Sequence, residues 1–192
     1  MTVTDYKTYR PALRDEFKYA CGYCENREPE LGGSEAFHVD HYRPKSKFPH
    51  LICKYTNLIY SCRYCNRNKG DYWPGFLGWA LDRIILNPRA DSFKKHIDQS
   101  EFPWVGLTSK GRWTILKLKL DSSGFCRRRK RRQSLENGIK RLGSVLAQLQ
   151  IGLNNATQQN AEERVILELR RDIAEVISEI NAVRQVIEGR AD

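Results

Sequence analysis

No apolar run in this chain approaches the roughly 18–20 residues that a bilayer-spanning helix requires, so nothing in it reads as a membrane segment. Internal repeats and low-complexity tracts are missing too, which sets repeat architectures aside. The stretch from Met1 to Tyr19 alternates polar and aromatic residues and has no apolar signal region, so a cytoplasmic location is expected. Acidic residues are the scarcer charge: 23 Asp and Glu stand against 33 Lys and Arg, a net charge of +10 in 192 residues. With 40% hydrophobic and 29% charged residues, the chain is neither disordered in composition nor too short to bury a core. The positive excess points to a polyanionic partner. Composition alone leaves a generic basic protein, or one that meets an anionic membrane surface, open.

Disulfides are out of place in a reducing compartment, yet six cysteines are present. Four stand in two C-x-x-C pairs, Cys21 with Cys24 and Cys62 with Cys65. One such pair alone can be a redox motif. Two of them, each beside tight-turn residues, read as one tetrahedral zinc site of four thiolates. The gap between the pairs is longer than in a compact zinc ribbon, so a segment is inserted between the knuckles. Cys53 reads as a small buried apolar residue; nothing in the sequence accounts for Cys126.

Three zones follow along the chain: residues 1–74 with both knuckles, residues 75–124 of mixed character, and residues 125–192, helical by period. In the middle zone Asn87-Pro88 and Lys110-Gly111 mark turns, and Trp113 to Leu120 is readable as strand or helix. In the last zone Leu135, Ile139, Leu142, Leu146 and Leu149 step by four and three. So do Ile166, Leu169, Ile173, Val176, Ile180, Val183 and Ile187. Both series match a heptad seam. Gly152 to Asn160 reads as a polar linker, Asn160 with Glu163 as the N-cap signature of the second helix, and Gly189 as its stop. The expectation is an antiparallel helical hairpin, either scaffolding or a surface for a protein partner or a second copy. At its start, Arg127, Arg128, Arg129, Lys130, Arg131 and Arg132 cover every side of a helix. Such a run suits phosphate contact through counterion release; the bland alternative is a solvated, self-repelling stretch. Trp73, Trp79, Trp104 and Trp113 are read as core.

The chemistry-bearing residues lie between and beside the knuckles. Phe37 to Lys45 begins as a short strand ended by Pro44, and Ser61 to Gly70 suits a helix that starts near the second knuckle and stops at Gly70. Folding both knuckles onto one zinc brings Asp40, His41 and Asn66 onto one platform, with the metal replacing a core too small to form alone. A carboxylate and an amide oxygen are hard ligands suited to Mg2+ or Mn2+. Asp40 and Asn66 can hold such an ion at a scissile phosphate, and His41 can take a proton from attacking water. Asp40 and His41 are neighbours, and on a regular strand they face opposite sides. One site can hold both only where the strand twists or ends. His38 is a further possible metal ligand or phosphate contact, with an ordinary surface histidine as the alternative. Arg43, Lys45, Arg67 and Lys69 are candidate phosphate contacts. Tyr23 and Tyr64, inside the knuckles, are expected to pack around the zinc.

The ordered set C-x-x-C, Asp-His, Asn-Leu and C-x-x-C-Asn-x-x-Lys, from about Tyr19 to Tyr72, resembles the HNH endonuclease family in its zinc-knuckle form. The resemblance implies an α+β fold, a zinc-stapled ββα-metal core of the His-Me finger kind, here followed by the C-terminal antiparallel helical hairpin. It implies that Asp40 and Asn66 bind the catalytic ion, that His41 is the general base, and that Asn57 orients the hairpin carrying it. It also implies duplex DNA as substrate. A narrower likeness rests on Cys21-Gly-Tyr-Cys-Glu25, His41-Tyr-Arg-Pro-Lys45, Ser61 to Gly70, Trp73-Pro74, Leu86-Asn-Pro88 and His96. These resemble the PtuB-like HNH nucleases of Septu and retron-associated anti-phage systems, in which an ATPase partner controls the nuclease. That group often has Glu where Asp40 stands. Two rival readings use the same zinc and basic residues: a non-enzymatic zinc-knuckle protein that binds nucleic acid, and an interaction subunit whose hairpin docks a larger enzyme. The Asp40, His41 and Asn66 set, which a binding module does not need, separates them from a nuclease.

Overall fold

The computed structural model describes residues 5–188, so Gly189, the expected stop, lies outside the described residues. The chain divides into two compact units, one ending at Arg129 and one beginning at Lys130, with residues 75–124 inside the first. In chain order the first unit carries α1 (Arg10–Glu16), α2 (Glu28–Leu31), β1 (Phe37–His41), β2 (Leu58–Cys62), α3 (Arg63–Lys69), α4 (Phe76–Ala80) and α5 (Phe93–His96). A short pair, β3 (Ile97–Asp98) with β4 (Val105–Gly106), follows, then α6 (Ser109–Leu118) and the first turns of α7 (Ser123–Gln158).

β1 and β2 pair antiparallel, with Asp40 opposite Ile59 and His41 opposite Leu58. β2 is buried along its whole length, because α1 packs against it and α3 packs against both strands. That explains its run of Leu58, Ile59 and Tyr60 where a half-exposed strand would alternate. Cys62 caps α3: its Sγ accepts the Cys65 N–H at 3.4 Å. Gly70 ends the helix at φ +52, a left-handed conformation that favours glycine. Glu28, 6% exposed, ties this core to the N-terminal helix. It accepts two 2.7 Å hydrogen bonds from Arg14 and one of 2.6 Å from the Tyr60 hydroxyl.

Trp113 to Leu120, open between strand and helix in the sequence, begins in α6, which runs through Leu118. Thr108 caps that helix by accepting the Gly111 N–H at 3.1 Å, and its buried residues Gly111, Thr114, Ile115 and Leu118 recur at helical spacing. Gly111 is glycine for a steric reason: a Cβ there would lie 1.9 Å from the His96 carbonyl oxygen. Of the four tryptophans only Trp104 is buried, and Trp79 is 51% exposed.

The second unit contains the rest of α7 and α8 (Glu163–Glu188). The expected linker from Gly152 to Asn160 is helical as far as Gln158. The physical reason is that the seam does not stop at Leu149: Gly152, Leu153 and Ala156 continue its shielded stripe. Asn160 does not cap α8. It takes a left-handed conformation, φ +53, in the short turn before Glu163. All seven residues expected on the α8 seam are at least partly shielded, and Ile180 is buried.

Candidate functional site

Cys21, Cys24, Cys62 and Cys65 converge from the two knuckles. Their sulfurs all lie within 4.8 Å of one another, and those of Cys24 and Cys62 are 3.8 Å apart. Tetrahedral Zn–S bonds of about 2.3 Å require S···S edges of about 3.8 Å, so the cluster has the dimensions of such a site. Burial pushes the Cys24 and Cys65 thiols well up from their ordinary value. A divalent cation reverses that preference by binding the thiolates. Tyr23 is buried in one core cluster with the four cysteines, as expected, whereas Tyr64 lies nearer the surface. The Tyr23 hydroxyl donates to Asp40 Oδ2 at 2.6 Å, and Tyr64, 39% exposed, meets Phe125 edge-on.

Beside this cluster, the end of β1 and the face of α3 line a cleft of about 390 Å³. Asp40, His41, Asn66, His38, Lys45 and Lys69 all contribute to it. Two consecutive residues thus reach one cleft where the strand ends at His41, and Lys69 fastens that end. Its ammonium donates to Asp40 Oδ1 at 3.1 Å and to the His41 backbone oxygen at 2.6 Å, fastening both residues to α3 where β1 ends. Lys69 is 2% exposed. Its expected role as an outward phosphate contact is therefore corrected: the ammonium is spent on Asp40 and His41. The spacing Asn66 to Lys69, three residues on one helix, places both on one face and was the available signal.

His41 is 7% exposed. Burial is the largest influence on its imidazole and holds its pKa below the usual histidine value, against the opposing pull of the Ile52 carbonyl and Asp40. The ring is therefore neutral at neutral pH. Its Nε2 lies 3.0 Å from the Ile52 backbone oxygen. A carbonyl oxygen can only accept, so Nε2 carries the proton and Nδ1 keeps the lone pair. Tyr6, not singled out in the sequence, packs edge-on against the ring at 4.6 Å between centroids.

Asn57 is buried and faces the loop after β1. Its Oδ1 accepts the Arg43 N–H at 2.9 Å, and its Nδ2 donates to the carbonyls of Arg43 at 3.1 Å and Leu51 at 3.3 Å. It closes the loop that presents Ile52 to His41. Asp40 and Asn66 offer a carboxylate and an amide oxygen on one cleft, a donor set that fits a hard divalent ion. The Tyr23 and Lys69 bonds use two of the four lone-pair positions of Asp40.

The remaining basic candidates divide. Lys45 lines the cleft; Arg43 and Arg67 are exposed but outside its lining. Arg43 stacks over Phe48 and Trp73. In the basic run, Arg127, Lys130 and Arg131 are exposed, and Arg128 and Arg132 are partly shielded. Arg129, expected to touch phosphate, is 1% exposed and packs over Trp104, so it has no outward role. Among the described residues no helix is long and apolar enough to cross a membrane.

Residues 21–72 match the family model of the HNH endonucleases, which bears out the resemblance drawn from the knuckles and the Asp-His pair. The chain is also 32% identical over 110 residues to the Septu protein PtuB of Bacillus thuringiensis, a match covering 57% of this chain and 40% of that protein. The chain thus aligns with less than half the length of this relative. No solved structure matches this chain.

Proposed function

We propose, from the HNH match over residues 21–72, that this chain is a metal-dependent endonuclease that hydrolyses phosphodiester bonds of duplex DNA in anti-phage defence. The observation that carries the reading is the state of His41: neutral, lining the cleft beside Asp40, its Nε2–H bound to Ile52 and its Nδ1 left with the lone pair. That is what a general base at neutral pH requires. His41 Nδ1 takes the proton of the attacking water. Asp40 and Asn66 hold Mg2+ or Mn2+, which supplies Lewis-acid stabilisation of the phosphate oxygens when bound. Asn57 fixes the loop that orients His41. His38 and Lys45 meet the phosphate backbone at the cleft, with Arg43, Arg67, Arg127, Lys130 and Arg131 serving flanking phosphates. Zinc at the four cysteines holds the ββα core together.

The two long helices form an antiparallel hairpin that pairs two copies, so that two single-strand cuts combine. The name of the Bacillus thuringiensis relative places that protein in Septu, and an ATPase partner is proposed here accordingly, with the complex acting in the cytoplasm.

Supercoiled plasmid incubated with the purified chain and Mg2+ or Mn2+ tests the central claim. Wild type is expected to nick or linearise it. His41→Ala is expected to lose about a hundred- to ten-thousandfold in rate, and EDTA to abolish cutting. Equal cutting by His41→Ala removes His41 as the base. A gel shift without cutting, with the ATPase partner also supplied, leaves a binding protein.

A further inference from the structure

Arg129 heads the largest fully buried side chains of the described residues, at 1% exposure. Its guanidinium lies 3.6 Å from the ring centroid of Trp104. Nη2 donates to the Leu120 carbonyl and lies 3.8 Å from Cys126 Sγ. Nε and Nη1 meet no acceptor. A buried cation without an anionic partner is strongly unfavourable, and an arginine does not escape by deprotonating. Something in its surroundings must carry negative charge that these contacts do not supply.

Two observations indicate where. Tyr64, directly before Cys65, touches Phe125, one helical turn before Arg129. Burial is the main influence on Arg129 and lowers its pKa, while Cys126, and the charges of Cys126, Cys24 and Glu25, push it back up. Cys24 is a knuckle cysteine. A zinc ion bound by four thiolates sets two positive charges against four negative ones, so the filled centre is a dianion.

We propose that Arg129 is the counter-cation of the four-cysteine zinc centre: its buried guanidinium, short of acceptors, balances the charge created by tetrathiolate ligation and ties the start of α7 to the second knuckle. Groups outside the ligand set commonly tune a metal site in this way. The plainer role, a cation packed on Trp104 that caps the Leu120 carbonyl and is balanced by the carboxylate of Glu25, has no dependence on zinc. The proposal rests on the zinc reading of the cysteines and not on nuclease activity.

The test uses the full chain loaded with zinc and competed against a chromophoric chelator. Arg129→Met keeps the length and apolar bulk of the side chain; Arg129→Lys keeps the charge. The methionine variant is expected to lose about tenfold or more in zinc affinity, the range typical of groups supporting metal ligands, and the lysine variant to retain most of it. Cobalt substitution reports whether all four thiolates still ligate. Wild-type affinity in a folded methionine variant overturns the proposal, as does an equal loss in the lysine variant. If the wild type takes up no zinc, the zinc reading itself fails. If neither variant folds, a crystal structure of the zinc-loaded wild type decides. A carboxylate or bound anion against Nε and Nη1 overturns the assignment; a knuckle sulfur as the nearest anionic atom supports it.

Discussion

In the first unit Lys69 and Asp40 meet at 3.1 Å with 2% and 6% of their side chains exposed. In the second, Arg164 and Glu168 meet at 3.5 Å with 82% and 65% exposed. The two pairs use similar chemistry in opposite solvents. The exposed pair keeps most of its hydration and sits one turn apart on a single helix, where local geometry alone brings it together. The buried pair has lost its water, so it persists only because hydrogen bonds to Tyr23 and the His41 carbonyl complete it. The same contrast runs through both units. The first buries Glu28, Asp40, His41, Lys69 and Arg129, while among the described residues of the second only Ile180 is buried.

The largest expected effect separates the units outright. Structural zinc in small domains is worth about 10–16 kcal/mol, so Cys62→Ser should unfold the first unit and leave the helices of the second. All four tryptophans and all nine tyrosines lie at or before Trp113, so near-ultraviolet circular dichroism reports on the first unit alone. Its loss, with much of the far-ultraviolet helical signal retained, is the expected result. Loss of both together would mean that the second unit cannot stand without the first.

What was legible in the sequence follows the same division. The cysteine knuckles could be read because their spacing along the chain is itself the ligand geometry. The α8 seam could be read because its period of four and three is the helix. Lys69 and Arg129 were misplaced because both were read by charge, and charge predicts water. For Arg129 the correcting signal was present but masked. Phe125, Arg129 and Arg132 step by four and three into Leu135 and Ile139, the same stripe as the seam, but a run of six cations leaves no contrast in which to see a period. Tyr23 and the Ile52 carbonyl had no sequence signal. Both reach the site through the tertiary fold, one by its hydroxyl and one by its backbone.

Removing one partner of the buried pair gives the next largest effect. Lys69→Met leaves Asp40 buried with the Tyr23 bond alone, at an expected cost of about 3–5 kcal/mol, read from the denaturant midpoint of the zinc-loaded chain. Asp40→Asn combined with Lys69→Met should recover part of that loss, because no charge is then stranded. Additive losses would show that Lys69 acts through packing and not through its charge. Either way, plasmid cutting should fall with the single variant, since the same ammonium holds the His41 backbone.

A smaller, pH-dependent effect is expected at Glu28. Burial raises its pKa, but the hydrogen bonds from Arg14 and Tyr60 outweigh burial and hold it below the ordinary glutamate value. A depressed carboxylate stabilises the fold fully above its unfolded pKa of about 4.3. That contribution disappears as pH falls through the lower folded value. Glu28→Gln should cost toward the low end of about 1.5–3 kcal/mol at neutral pH, because Arg14 is 39% exposed and water screens it. The difference between wild type and variant should shrink on acidification below pH ~4. A difference that stays constant with pH would assign the loss to the shape of the amide and not to charge.

Arg164→Gln should have the smallest effect of all. Exposed pairs one turn apart on a helix are typically worth about 0.3–0.5 kcal/mol, and salt screens even that. Thermal melts of wild type and variant should therefore nearly superimpose at physiological ionic strength and separate slightly at low salt. A large loss, of the size expected for Lys69→Met, would mean that Arg164 is not solvated in the protein as it exists in solution. The surface around it would then be covered by something, and the proposed pairing of two copies through the long helices gives the immediate check. The loss should then depend on protein concentration, because dilution separates the copies. A large loss independent of concentration would instead mean that the second unit draws its stability from its surface charges, and the contrast between the two pairs would no longer hold.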